Sequence, residues 1–88
     1  MSVVDIDLGI EEYKQLPRSY WLKRALAVER IHRGFTRPTI RKTAKAMDMS
    51  IGYVCEELKI ARFYIRFPEL ANCSDRENAL LVIKRKRK

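Results

Sequence analysis

What the chain lacks narrows its chemistry. Two cysteines, Cys55 and Cys73, and a single histidine, His32, stand in 88 residues. The cysteines lie far apart without metal-ligand spacing, so a zinc site has too few ligands and both are expected to be free thiols in a reducing compartment. No run of about 18 apolar residues is present to span a bilayer, and no basic-then-apolar leader opens the chain; the expected location is the cytoplasm, with no membrane partner. Paired carboxylates, a nucleophile–base pattern, a phosphate-cradling loop and a metal cluster are all missing. No enzymatic activity, catalytic residue, metal or cofactor is therefore expected. The strand pattern and aromatic motif that single-stranded RNA recognition would use are missing too.

What is present is apolar and basic. A hydrophobic fraction of 47% is enough for a folded core, and the length suits one domain. The net charge of +8, with a pI near 9.9, points to a polyanionic partner, because a positive field draws in phosphates and speeds encounter. Residues 1–12 differ in kind. Their charges, Asp5, Asp7, Glu11 and Glu12, are all acidic, and the alternation from Val4 to Leu8 suits a short strand, an arm or an ordered tail. The basic character of the remainder is concentrated accordingly. We divide the chain into an acidic N-terminal arm (1–12), a helical domain (13–83) and a basic tail (84–88).

The organising stretch runs from Thr39 to Tyr64. Ile40, Ala44 and Met47 repeat at i, i+4, i+7 and define the buried face of a short helix, with Arg41, Lys42 and Lys45 outside. Asp48-Met49-Ser50 interrupts it with a turn-favouring Asp and a Ser able to cap the next helix. Val54, Leu58, Ala61 and Ile65 then form a second stripe, which packs across the first helix where small Ala44 leaves room. Two helices joined through a three-residue turn make a helix-turn-helix.

Thr43-Ala44-Lys45, Met49 after the turn, Val54 in mid-helix and Leu58 one turn later resemble the pattern of phage repressors and of the central helix-turn-helix of ParB-type plasmid and phage partition proteins. The run from LKIAR through FPEL to ENALLVIKR is similar to the latter group and its small phage relatives. The resemblance covers roughly Thr39 to Arg85. It departs at Asp48, where these families usually have Gly in a left-handed turn, and at Glu56-Glu57 in the recognition helix. It implies double-stranded DNA as the partner, read by a small transcription regulator or partition-like accessory factor of phage, plasmid or prokaryotic origin. The cytoplasm in question is then that of a bacterium or an infected host cell.

Other elements follow from local signals. A short turn of helix is expected at Ile10 to Leu16, and Pro17 suits the first turn of a helix running to Arg33. Trp21 is its core anchor. Gly34 reads as a left-handed C-cap, with Phe35 folding back on the last turn. Pro68 breaks the recognition helix, Ser74 to Glu77 read as a capping box, and a last helix carries Leu80 and Ile83. The expected fold is an all-α compact bundle of about four to five helices containing the helix-turn-helix.

The candidate base-reading residues are Ser50, Ile51, Gly52, Tyr53, Cys55, Glu56 and Lys59, because the start of a recognition helix enters the major groove first. The candidate phosphate contacts are Arg33, Arg37, Thr39, Arg41, Lys42 and Lys45, with Lys84, Arg85, Lys86, Arg87 and Lys88 in the tail. His32 lies beside this basic run and reads as a phosphate contact or as a plain surface histidine. Tyr53, Ile60, Tyr64 and Phe67 make a second apolar stripe, to be covered by the C-terminal helix or by a twin chain in a homodimer. The competing function is a protein-binding adaptor or inhibitor that uses this stripe and Glu56-Glu57 to engage a polymerase or nuclease.

Overall fold

The apolar stripes pair off in a computed structural model that describes residues 3–86, with side chains from Ile6 onward. Five α-helices form: α1 (Val3–Gln15), α2 (Trp21–Arg33), α3 (Ile40–Met47), α4 (Ile51–Arg66) and α5 (Arg76–Lys86). A 3₁₀ helix, Pro68–Asn72, joins α4 to α5, and no strand occurs among the described residues. The expected all-α bundle is what the chain makes. The pair α2 and α4 is its backbone, and α4 also meets α3, the 3₁₀ helix and α5.

The core falls into two halves along that pair. In one, Val28 and Ile31 of α2 meet Val54 and Leu58 of α4, Ala44 and Met47 of α3, and Ile6 and Tyr13 of α1. In the other, Trp21 and Ala25 meet Ile60 and Ala61, with Leu70, Ala79 and Ile83 closing the far side. The start of α2 therefore lies against the end of α4, and the two run antiparallel. Trp21 is the core anchor expected of it. The second stripe of α4 is covered from within the chain: Ile60 is fully buried and Tyr64 packs on the same cluster, although Phe67 stays exposed. In the first stripe Ile65 breaks rank, at 63% exposure, on the rim of a groove beside α2.

The N-terminal segment corrects the domain division. Residues expected to be an acidic arm are helical from Val3 onward, and Ile6 and Tyr13 are buried with Ile10 packed against them. Ile6, Ile10 and Tyr13 stand at i, i+4, i+7, so one stripe faces the core while Asp7, Glu11 and Glu12 face water. Gly9 allows the close approach: a Cβ there would stand 3.0 Å from Ile31 Cγ1. The domain thus includes α1. At the other end, Lys84 to Lys86 belong to α5, so the basic tail begins as helix; Arg87 and Lys88 lie outside the described residues.

Three boundaries also move. The first turn of α2 is not at Pro17. Pro17 to Tyr20 form a turn, with the Tyr20 N–H donating to Pro17 O at 3.0 Å, and α2 starts at Trp21. Arg24 locks that turn by donating to Leu16 O at 2.8 Å and to Tyr13 Oη at 3.0 Å. Gly34 is right-handed, at φ −71°, and simply prolongs α2; Phe35 still packs on the first core half. The cap of α5 is Asp75, whose Oδ1 accepts the Asn78 N–H at 2.8 Å, while Ser74 Oγ accepts from the Asn78 side chain.

Helices α4 and α5 are fastened by a buried charge. The Glu57 side chain is 1% exposed, and its Oε1 accepts from Arg76 Nε at 2.8 Å. Arg76 also donates to Glu56 Oε1 at 3.0 Å and lies 4.3 Å from the centre of the Tyr53 ring. Burial holds the Glu57 carboxyl above the ordinary carboxylate range, and Arg76 pulls it back down. A carboxyl raised in this way binds its proton more tightly folded than unfolded, so its contribution is present at low pH and is lost as pH rises through the raised value. Arg76→Ala leaves Glu57 charged and unpaired, and urea unfolding at neutral pH should show a loss of about 3 kcal/mol. The loss should shrink in acid, where Glu57 takes up its proton; a cost within about 0.5 kcal/mol at neutral pH would class the pair with ordinary surface ion pairs.

Candidate nucleic-acid interface

The orientation of α4 is set by the three residues that precede it. Asp48 adopts φ 54°, ψ 50°, the left-handed conformation that the sequence pattern assigns to this position. That reversal lets the Met49 N–H return to Ala44 O at 2.9 Å and the Asp48 N–H to Lys45 O at 3.3 Å, satisfying carbonyls the helix end would otherwise leave open. Met49 tucks against the first core half. Ser50 Oγ accepts the Tyr53 N–H at 3.1 Å and caps α4, as Thr39 Oγ1 caps α3 by accepting from Lys42 N–H at 3.1 Å. Ala44 and Val54 join the same buried cluster, at 4% and 0% exposure, so the corner closes on its smallest residue.

Behind the corner, α2 and α3 are tied by a polar contact that the sequence did not suggest. His32 is buried, and its Nδ1 shares a hydrogen bond of 2.7 Å with Thr43 Oγ1, itself fully buried. His32 is thus neither a phosphate contact nor a surface residue. Burial and the nearby Arg62 cation lower its pKa from the ordinary 6.5, against the opposite pull of Glu29.

The proposed contact residues separate into free and committed groups. On α3, Arg41 and Lys45 are exposed one turn apart and, among the described residues, make no ion pair; Arg37 precedes them, also exposed. Lys42 donates to Arg37 O at 3.1 Å. Thr39 accepts the Lys42 N–H as the cap, which leaves its O–H to donate to a phosphate oxygen. Arg33 is 70% exposed and pairs one turn back with Glu29 at 2.9 Å. Lys84 and Arg85 are exposed on α5, and Lys86 lies 3.4 Å from Glu69 and over the Phe67 ring.

On α4 the open face is narrower than the sequence implies. Ser50, Ile51 and Gly52 are exposed, Ile51 at 49%, and nothing stands within 4 Å of the space above Gly52. Lys59 is exposed two turns on, and Cys55 is half-buried between. Tyr53 is half-buried under Arg76, and Glu56 is held by the same guanidinium, so neither is free to read a base edge in this arrangement. Sequence reasoning offered Glu56 because it could not see Arg76, whose partners lie about 20 residues earlier. Compared with known proteins, the chain matches no protein-family model, no curated protein and no solved structure.

Two outcomes follow for this corner. A β-branched side chain strains a left-handed backbone, so Asp48→Val should lower stability by about 1–2 kcal/mol, a drop of several degrees in Tm, whereas Asp48→Gly should hold or raise it; equal melting of both variants would remove the left-handed turn. For His32 the lowered pKa means that the unfolded chain takes up a proton first as pH falls below about 6.5, so stability is full above that pH and declines below it. In His32→Gln this part of the decline should be absent when thermal melts are compared between neutral and mildly acidic buffers; an unchanged slope would show that the imidazole does not titrate differently on folding.

Proposed function

We propose that the chain binds double-stranded DNA through α3, the turn and the first two turns of α4, as a small transcription regulator or partition-like accessory factor of phage, plasmid or prokaryotic origin. The observation that carries this reading is the uncommitted pair Arg41 and Lys45 on the outer face of α3, next in the chain to an open α4 N-terminus at Ser50, Ile51 and Gly52. Cations on the first helix neutralise phosphates on either side of a groove, and the start of the second helix enters it. Backbone N–H groups at that start favour an anionic partner in addition.

Within this reading the roles differ by residue. Arg37, Arg41 and Lys45 hold the phosphate backbone without reading sequence. Gly52 lets the helix approach the base pairs closely, Ile51 offers an apolar contact to a thymine methyl, and Lys59 reaches phosphate or guanine. Arg, Asn and Gln are missing between Ser50 and Lys59, so the start of α4 supplies none of the side chains that most often read guanine or adenine in bidentate fashion. Selectivity then leans on groove shape and on the cations that follow it. Lys84 and Arg85 add attraction that is indifferent to sequence.

The adaptor reading has less to draw on. Its acidic pair is spent inside the chain, since Glu57 is buried and Glu56 is bound to Arg76. Its aromatic stripe is partly consumed by α5 and the 3₁₀ helix.

Fluorescence anisotropy with a random duplex, repeated across a salt series, tests the proposal. Affinity should fall steeply with salt, and Arg41→Ala or Lys45→Ala should weaken every duplex alike and reduce the logarithmic salt slope by about 1 each. Ile51→Ala should instead change the preference among duplexes selected from a random pool. Affinity indifferent to Arg41 and Lys45 would overturn the assignment and return weight to the adaptor.

A further inference from the structure

The chain carries a net charge of +8, yet α1 turns an acidic face outward. Asp7, Glu11 and Glu12 are exposed and, among the described residues, none forms an ion pair. Leu8 shares that face at 58% exposure. Glu12 also lines a groove of about 720 Å³ together with Lys23 and Arg30 of α2. Tyr20 and Ile65, 49% and 63% exposed, line the same groove. Glu29, buried in its wall, is already held by Arg33 at 2.9 Å and by Arg62 at 3.7 Å, which leaves Glu12 as the acid free to pair across the groove.

We propose that this α1–α2 face pairs with the same face of a second copy about a two-fold axis, so that Glu12 of each copy meets Lys23 and Arg30 of its twin. In such an interface every contact occurs twice, and the patch must contain both members of its own ion pairs. This one does. A chain of net charge +8 repels its twin through its basic faces, and the α1–α2 face is where acid and base lie side by side on a partly apolar ground. Withdrawing Tyr20 and Ile65 from water supplies the non-directional part of the attraction. The other surface considered for a twin, the second stripe of α4, is already filled by α5 at Ile60.

This pairing does not rest on the DNA-binding reading and is tested without DNA. Sedimentation equilibrium of the full chain should give a dimer whose dissociation constant weakens as salt is raised. Glu12→Lys and Lys23→Glu should each weaken it by about tenfold, since each change is felt twice. An equimolar mixture of the two variants should recover the lost affinity, because both contacts in the mixed pair are again acid on base; far-UV circular dichroism shows that each variant is folded. A monomer throughout the accessible concentration range overturns the proposal, as does a dimer indifferent to both substitutions or a mixture no tighter than its parts.

Discussion

The structure turns on one backbone reversal, the left-handed Asp48 between α3 and α4. Without it the chain would continue as a single rod, and the start of α4 would be buried in helix instead of presented to solvent. The reversal costs strain in any residue but Gly, and it is repaid locally by the Met49 N–H to Ala44 O hydrogen bond, by Met49 packing on the core and by the Ser50 cap. Ala44 and Val54 are then buried in one cluster where the two helices meet. Each of these features is short-range. Together they fix where the first turn of α4 points.

A second constraint fixes how α4 is rooted. Its inner face carries a carboxylate, Glu57, in place of one more apolar residue, and the charge is matched by Arg76 at the start of α5. Buried ion pairs of this kind contribute little net stability, because desolvation offsets attraction, but they penalise any arrangement that separates the partners. Arg76 also lies on Tyr53 and binds Glu56, so one guanidinium engages three side chains of α4. The face left open is that of Ser50, Ile51, Gly52, Cys55 and Lys59. His32 and Thr43 do the corresponding work for α3, fastening it to α2 through a neutral buried hydrogen bond.

How much of this is legible in the sequence depends on the range of the interaction. The corner is readable because its signals are local: an i, i+4, i+7 stripe, a turn residue, a capping serine, a second stripe. The terminal element is not, because Val4 to Leu8 alternate like a strand and four acids suggest solvent, while the stripe Ile6, Ile10, Tyr13 becomes decisive only once α2 offers a surface for it. Capping by Asp75 in place of Ser74 is a shift of one residue between two equally good capping types. Glu57 and Arg76, or His32 and Thr43, are beyond such reading altogether. Charged and polar side chains look like surface until tertiary contacts 11 to 19 residues away give them partners. The exposure of Arg41, Lys45, Ser50, Ile51 and Gly52 agrees with their local pattern, whereas the partners of Tyr53, Glu56 and His32 lie outside it.

The central claim is that the outer face of α3 and the open start of α4 form one continuous surface for duplex DNA. Titrating a short duplex into the isotopically labelled protein, with amide chemical shifts followed residue by residue, tests it most directly. The account predicts shifts concentrated from Arg37 to Lys45 and from Ser50 to Lys59, with Ile60, Leu70 and Ala79 undisturbed. Shifts gathered on α1 and α2 instead, with Ser50, Ile51 and Gly52 unmoved at saturation, would contradict it.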